Sequence, residues 1–116
     1  MTNQDQEDHR LAALAAGYEF HVDRSGFSLA NGLMWRPRHS RSDSFGLMSA
    51  LGMTVDFADS AIHAGAFVIK GEDHFCEAFV EMDAEINTVE KLYFEAIFRC
   101  AVEIGRAKEG KANAQN

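Results

Sequence analysis

The stretch Asn87-Thr88-Val89-Glu90-Lys91-Leu92-Tyr93-Phe94-Glu95-Ala96-Ile97-Phe98-Arg99-Cys100-Ala101-Val102-Glu103-Ile104 decides the fold. Val89, Leu92, Tyr93, Ala96, Ile97, Cys100, Ala101 and Ile104 recur at the three- and four-residue spacing that places side chains on one helical face. Asn87 and Glu90 stand three apart and read as a capping-box-like start. A stripe of that length must be buried, and the segments before it read as strands, so the helix is predicted to lie on a sheet. Phe94, Phe98 and Val102 form a second row, four apart, which at about 100° per residue stands beside the main stripe. The apolar surface is too wide for a helix resting on one sheet. Two readings follow: the second row is the face of a homodimer, or the N-terminal helix or a loop covers it.

Upstream of that helix, period-two patterning dominates. Tyr18, Phe20 and Val22 alternate with Glu19, His21 and Asp23, and after Arg24-Ser25-Gly26 the chain resumes with Phe27-Ser28-Leu29, which predicts a hairpin. Met53, Val55 and Phe57 predict a third strand, followed by a loop of small residues. Phe67–Lys70 and His74–Val80 read as two more strands joined at Gly71-Glu72-Asp73. Between the hairpin and the third strand lie the only tryptophan and the only proline, in Met34-Trp35-Arg36-Pro37. Pro37 fixes a turn, Trp35 supplies a large apolar anchor, and Ser40 or Ser42 caps a helix with Asp43 in its first turn. Leu47, Met48 and Leu51 share a face of that helix, and Gly52 ends it. His9–Ala16, built from strong helix formers, predicts a short N-terminal helix after a frayed, polar segment 1–8.

The fold class is therefore α+β: a mainly antiparallel sheet of about five strands carrying a short N-terminal, a middle and a long C-terminal helix. Residues 1–108 read as one domain, and 109–116 as a disordered tail. With 116 residues, 47% of them hydrophobic, the chain is long enough to bury a core without disulfide or metal staples.

Net charge is −7, which sets the whole-molecule field against direct nucleic-acid binding and against anionic membrane surfaces. No apolar run approaches the roughly 20 residues that span a bilayer. Two cysteines and no secretory leader pattern point to a reducing cytoplasm.

The charge is segregated. Arg24, Arg36, Arg38 and Arg41 occur from 24 to 42 with no acid, whereas Glu72, Asp73, Glu77, Glu81, Asp83, Glu85 and Glu90 occur from 72 to 90 with no lysine or arginine. Two solvated faces would keep the protein soluble. As partner-binding surfaces, the acids would compete for a basic, nucleic-acid-binding face of another protein, with Arg36, Arg38 and Arg41 as further candidates.

His74 and Cys76, two apart on a strand, would bind zinc only if the fold brought Cys100 or His63 to them, and the spacing is not that of a finger or knuckle. Cys100, on the apolar stripe, reads as core. No G-x-S-x-G elbow, H-E-x-x-H, P-loop or G-x-G-x-x-G occurs. No catalytic residue, metal or cofactor is predicted; the competing enzyme reading is a small metal-dependent hydrolase using His74 and Cys76.

Trp35-x-Pro37, with Asp43 eight residues after the tryptophan and an aromatic at Phe45, resembles the signature of small phage proteins with an ABA-sandwich domain. Arg36 stands where members usually carry Asn, and Phe45 where they carry Trp. The resemblance implies a short N-terminal helix, a hairpin before the Trp-x-Pro turn, a helix, further strands and an Ala-rich C-terminal helix. It implies an origin in tailed phages or prophages, and it transfers neither an activity nor a catalytic residue. The function expected is a small, acidic, non-enzymatic accessory protein in the bacterial cytoplasm. It would bind a host or phage protein, in its concrete form as an inhibitor of a nucleic-acid-based defence system such as a CRISPR effector. A phage structural or assembly component is the other non-enzymatic reading.

Overall fold

A computed structural model describes residues 3–23, 26–29, 32–57, 63–70, 73–81 and 83–114. The order of elements is α1 (Asn3–Ala16), β1 (Phe20–Asp23), β2 (Gly26–Leu29), α2 (Arg41–Leu51), β3 (Met53–Phe57), β4 (His63–Lys70), β5 (Asp73–Glu81) and α3 (Val89–Ala114). The class is α+β. The strands do not form the expected single sheet of about five. β1 and β2 make a two-stranded antiparallel hairpin, and β3, β4 and β5 a separate antiparallel meander in that order. β4 begins at His63, inside the segment predicted as a loop of small residues, because Ala64, Gly65 and Ala66 pair with both neighbours.

α3 is the spine. Leu92, Phe94, Glu95, Ala96, Ile97, Phe98, Cys100, Ala101 and Val102 are all buried, so its middle is enclosed nearly all the way round. The sheet packs Met53, Val55 and Val80 into the core that Leu92, Ala96 and Cys100 share. α1 covers another side. His9 meets Phe98, Leu11 meets Gly105, Arg10 reaches Glu109 and Lys108 reaches Ala15, so partners ascend together and the two helices run in the same sense. At Gly105 a Cβ would lie 1.9 Å from the Leu11 carbonyl oxygen, so only glycine permits this approach of two backbones.

Both terminal helices are longer than their sequence patterns indicate. α1 starts at Asn3, within the segment read as frayed, and its polar first turns are tied locally and to the body. Gln4 Nε2 donates to Asp8 Oδ1 (2.8 Å), Arg10 to Glu7 (3.0 Å from Nε), and Arg38 Nη1 to Asp5 Oδ1 (3.0 Å). α3 continues to Ala114, through most of the segment read as a disordered tail. Its extra turns are used: Glu109 takes a forked pair from Arg10 (2.6 and 3.1 Å), and Lys108 Nζ donates to the Ala15 carbonyl (2.7 Å), bringing a cation to the C-terminal end of α1. The start of α3 also differs from the predicted capping box, for Thr88 Oγ1 caps it by accepting from Lys91 N–H (3.1 Å).

The Trp35 block joins hairpin to helix. Met34 bridges Ser28, and the Trp35 N–H donates to the Phe27 carbonyl (2.9 Å), so the segment extends the hairpin. Trp35 is 2% exposed and stands edge-on to Tyr18, Phe20 and His9, with ring centroids 6.0 to 6.2 Å apart. After the Pro37 turn, Ser40 rather than Ser42 caps α2, its Oγ accepting from Asp43 N–H (3.4 Å). The Asp43 carboxylate reaches back to the Arg36 N–H (2.8 Å), tying the helix start to the turn. Gly52, at φ +63°, ends α2 in the left-handed conformation.

Candidate functional site

The arginines that are neighbours in sequence have different surroundings. Arg38 sends Nε and Nη2 to the two oxygens of Glu95 (2.9 and 2.6 Å), Nη1 to Asp5, and lays its guanidinium 5.0 Å from the Phe98 ring centre. Arg99 Nε adds a third donor to Glu95 at 3.1 Å. Burial pushes the Glu95 carboxyl up, but the hydrogen bonds and charges of Arg38 and Arg99 outweigh it and hold the group below its ordinary value. Donating these hydrogen bonds to Glu95 likewise raises Arg38 against the effect of burial. Arg38 is thus a structural cation joining the Trp35 segment, α1 and α3, which removes it from the partner-binding candidates. Arg41 pairs with Glu90 through two 2.7 Å bonds at the surface, and Arg36 is exposed with Nη2 3.4 Å from Met34 Sδ.

The acidic run divides in the same way. Glu72 lies outside the described residues. Asp73 and Glu77 stand on β5, in register with Lys70 and Phe67, and their side chains are outside those described. Glu81, at the end of β5, and Glu85 are exposed. Asp83 is occupied in building the turn between β5 and α3: its Oδ1 accepts from the N–H groups of Ile86 (2.7 Å) and Glu85 (2.8 Å), and these bonds lower its pKa. Glu90, paired with Arg41, has its pKa lowered by that pairing.

Phe94, Phe98 and Val102, the candidate dimer face, are 9%, 1% and 6% exposed. Phe98 is sealed by His9 and Arg38, so the row is interior surface and the dimer expectation loses its face. Of the zinc combination, the side chains of His63, His74 and Cys76 lie outside those described, and the strand register does not bring the His63 position to His74. His63 pairs with Glu81 and His74 with Ile69, six residues further along β4, which separates the two histidine positions by about 20 Å. Cys100 is fully buried in the core. Among the described residues no group of three His, Cys, Asp or Glu is placed to hold a metal ion.

His9 was missed by sequence reasoning. Its ring is 5% exposed, 4.3 Å from Phe27 and 4.7 Å from Phe98 between centroids, and Nδ1–H donates to the Asp5 carbonyl at 2.7 Å. Burial, partly opposed by that carbonyl and by the charges of Asp5 and Asp8, lowers its pKa, and Arg38 adds to the lowering. The available signal was the unsatisfied width of the apolar surface on α3, which required a cover, together with His9 on the face of the first helix that carries Ala12 and Ala13. Compared with known protein families, with curated proteins and with solved structures, the chain matches none. No helix among the described residues is long and apolar enough to cross a membrane.

Proposed function

We propose that this chain is a small accessory protein of phage or prophage origin that acts without catalysis by binding another protein, and that its partner presents a basic, nucleic-acid-binding surface. The concrete form is an inhibitor of a nucleic-acid-based defence system. One observation carries the reading: Glu85 is exposed within a turn whose shape is fixed by Asp83, and Glu81 is exposed just before it, at the end of β5, an edge strand of the meander that also carries Asp73 and Glu77. A pre-shaped turn presents its charges with little ordering cost, and in a chain of net charge −7 it would attract a basic partner and steer its approach. The phage origin rests on the Trp35-x-Pro37 and Asp43 resemblance alone.

Affinity capture from bacterial cells followed by mass spectrometry identifies the partner. Reversal of Glu77, Glu81 and Glu85 to lysine is expected to abolish capture while circular dichroism stays unchanged. Asp83 is left in place because it builds the turn, and Glu90 because it is paired with Arg41. Unchanged affinity in that variant would defeat the acidic-surface mechanism. Stoichiometric zinc in the purified protein, lost in His74→Ala, would replace the binding reading with the hydrolase one.

A further inference from the structure

The contact between α1 and α3 has a titratable group at its centre. His9 projects from α1 into a cage made by Phe27 of β2, Trp35 and Arg38 of the segment before α2, and Phe98 of α3. The charged groups around it are Asp5 and Asp8 on α1, Arg38, and Glu95 of α3, which is held by Arg38; β2 contributes no charge. Asp5 Oδ1 lies 3.5 Å from Nδ1. Nδ1 carries the proton of the neutral ring, because its neighbour at 2.7 Å is a carbonyl oxygen. A second proton would have to enter at Nε2, placing a full charge in a site closed by three aromatic rings and beside a guanidinium that is already committed to two carboxylates.

Besides His9, α1 is attached through Leu11, Ala12, Ala13 and Ala15, all buried, and through a few polar ties. Leu11 packs over Gly105, Arg10 and Lys108 tie the C-terminal half, and Arg38 to Asp5 ties the N-terminal half. The strands of the meander are held to one another by their own ladders, while Leu11, Ala12 and Ala13 of α1 share the core with Met53 and Val80.

We propose that His9 is an acid-sensitive latch: its protonation releases α1 from α3 and uncovers the Phe98 side of α3 while the β3–β4–β5 meander stays packed. Neutral imidazole is the form the closed state accepts, and the open state lets the ring charge in water. The closed state is therefore fully favoured above the ordinary histidine value and loses ground as pH falls below it, until the closed form is itself protonated. A single proton limits the rise of the opening constant to about tenfold per pH unit across that window. This inference does not depend on the identity of any partner.

Hydrogen exchange of the full chain from pH 7.5 to 5.0, with rates corrected for the intrinsic pH dependence of exchange, tests it. Amides of α1 are expected to lose protection as pH falls while those of β3, β4 and β5 keep theirs. Protection of α1 that is constant over this range, or lost together with that of the meander, overturns the proposal. His9→Phe keeps a ring in the cage and is expected to abolish the pH dependence; a surviving dependence assigns the effect to another group and also overturns it. Should His9→Phe not fold, the wild-type protein still decides. The His9 ring resonances and the emission of Trp35, the single tryptophan, are expected to change with one midpoint below the ordinary histidine value. Titration of His9 with no change at Trp35 overturns the latch.

Discussion

Arg38 and Arg41 leave the same short segment and fork onto glutamates of the same helix, Glu95 and Glu90. The bond lengths hardly differ, 2.6 and 2.9 Å against 2.7 and 2.7 Å. Their surroundings do. Glu95 is 8% exposed and Arg38 32%, with Asp5, Arg99 and the Phe98 ring completing the environment, whereas Arg41 is 81% exposed and Glu90 44%. In the inner pair the removal of one partner strands a desolvated charge. In the outer pair water replaces whatever is lost, and the entropy of holding two long side chains offsets most of the attraction. Arginines three residues apart thus have unrelated roles, one binding three elements of the fold and the other decorating the surface.

The largest test of this contrast is Glu95→Ala, which leaves Arg38 without its main partner. Chemical denaturation is expected to show a loss of about 3 kcal/mol, the lower part of the range for breaking a buried pair because Arg38 is partly solvated. Next comes Gly105→Ala, which drives a Cβ into the Leu11 carbonyl and separates α1 from the helix that holds Glu95; a loss of about 1–3 kcal/mol is expected. If Gly105→Ala costs nothing, α1 does not pack closely on α3, and the contrast between inner and outer pair weakens.

A smaller effect is expected from acid. Glu95 has its pKa below the ordinary carboxylate value, so its contribution is complete above that value and is lost as pH falls through the lowered one. A plot of stability against pH should bend there, separately from the histidine window, and Glu95→Gln should remove most of that bend. The smallest effect is that of Arg41→Ala, for which unfolding curves should superimpose on those of the parent at low and high salt. A clear loss there would erase the distinction between the two pairs.

Legibility in the sequence followed the range of the interaction. A serine cap for α2 at Ser40 or Ser42, the stop at Gly52, the alternation that makes β1 and β2, and the stripe of α3 all arise between residues a few positions apart, and periodicity or side-chain chemistry exposes them directly. The polar start of α1 and the end of α3 looked frayed because their partners, Arg38 for Asp5 and Arg10 for Glu109, are distant in the chain. The run of acids looked uniform, although Asp83 builds the turn before α3 and Glu90 pairs with Arg41. Counting charges along a segment does not distinguish these.

By itself the sequence determined the α+β class, the end of α2 at Gly52, and the fact that α3 carries more apolar surface than one sheet can cover. Only the tertiary structure decided what covers it: α1, brought to within backbone contact at Gly105, with His9 seated on Phe98 and Arg38 closed on Glu95. Local periodicity reports that a surface must be buried. Which distant element buries it, and which of several like charges goes in with it, depends on how all the faces fit at once.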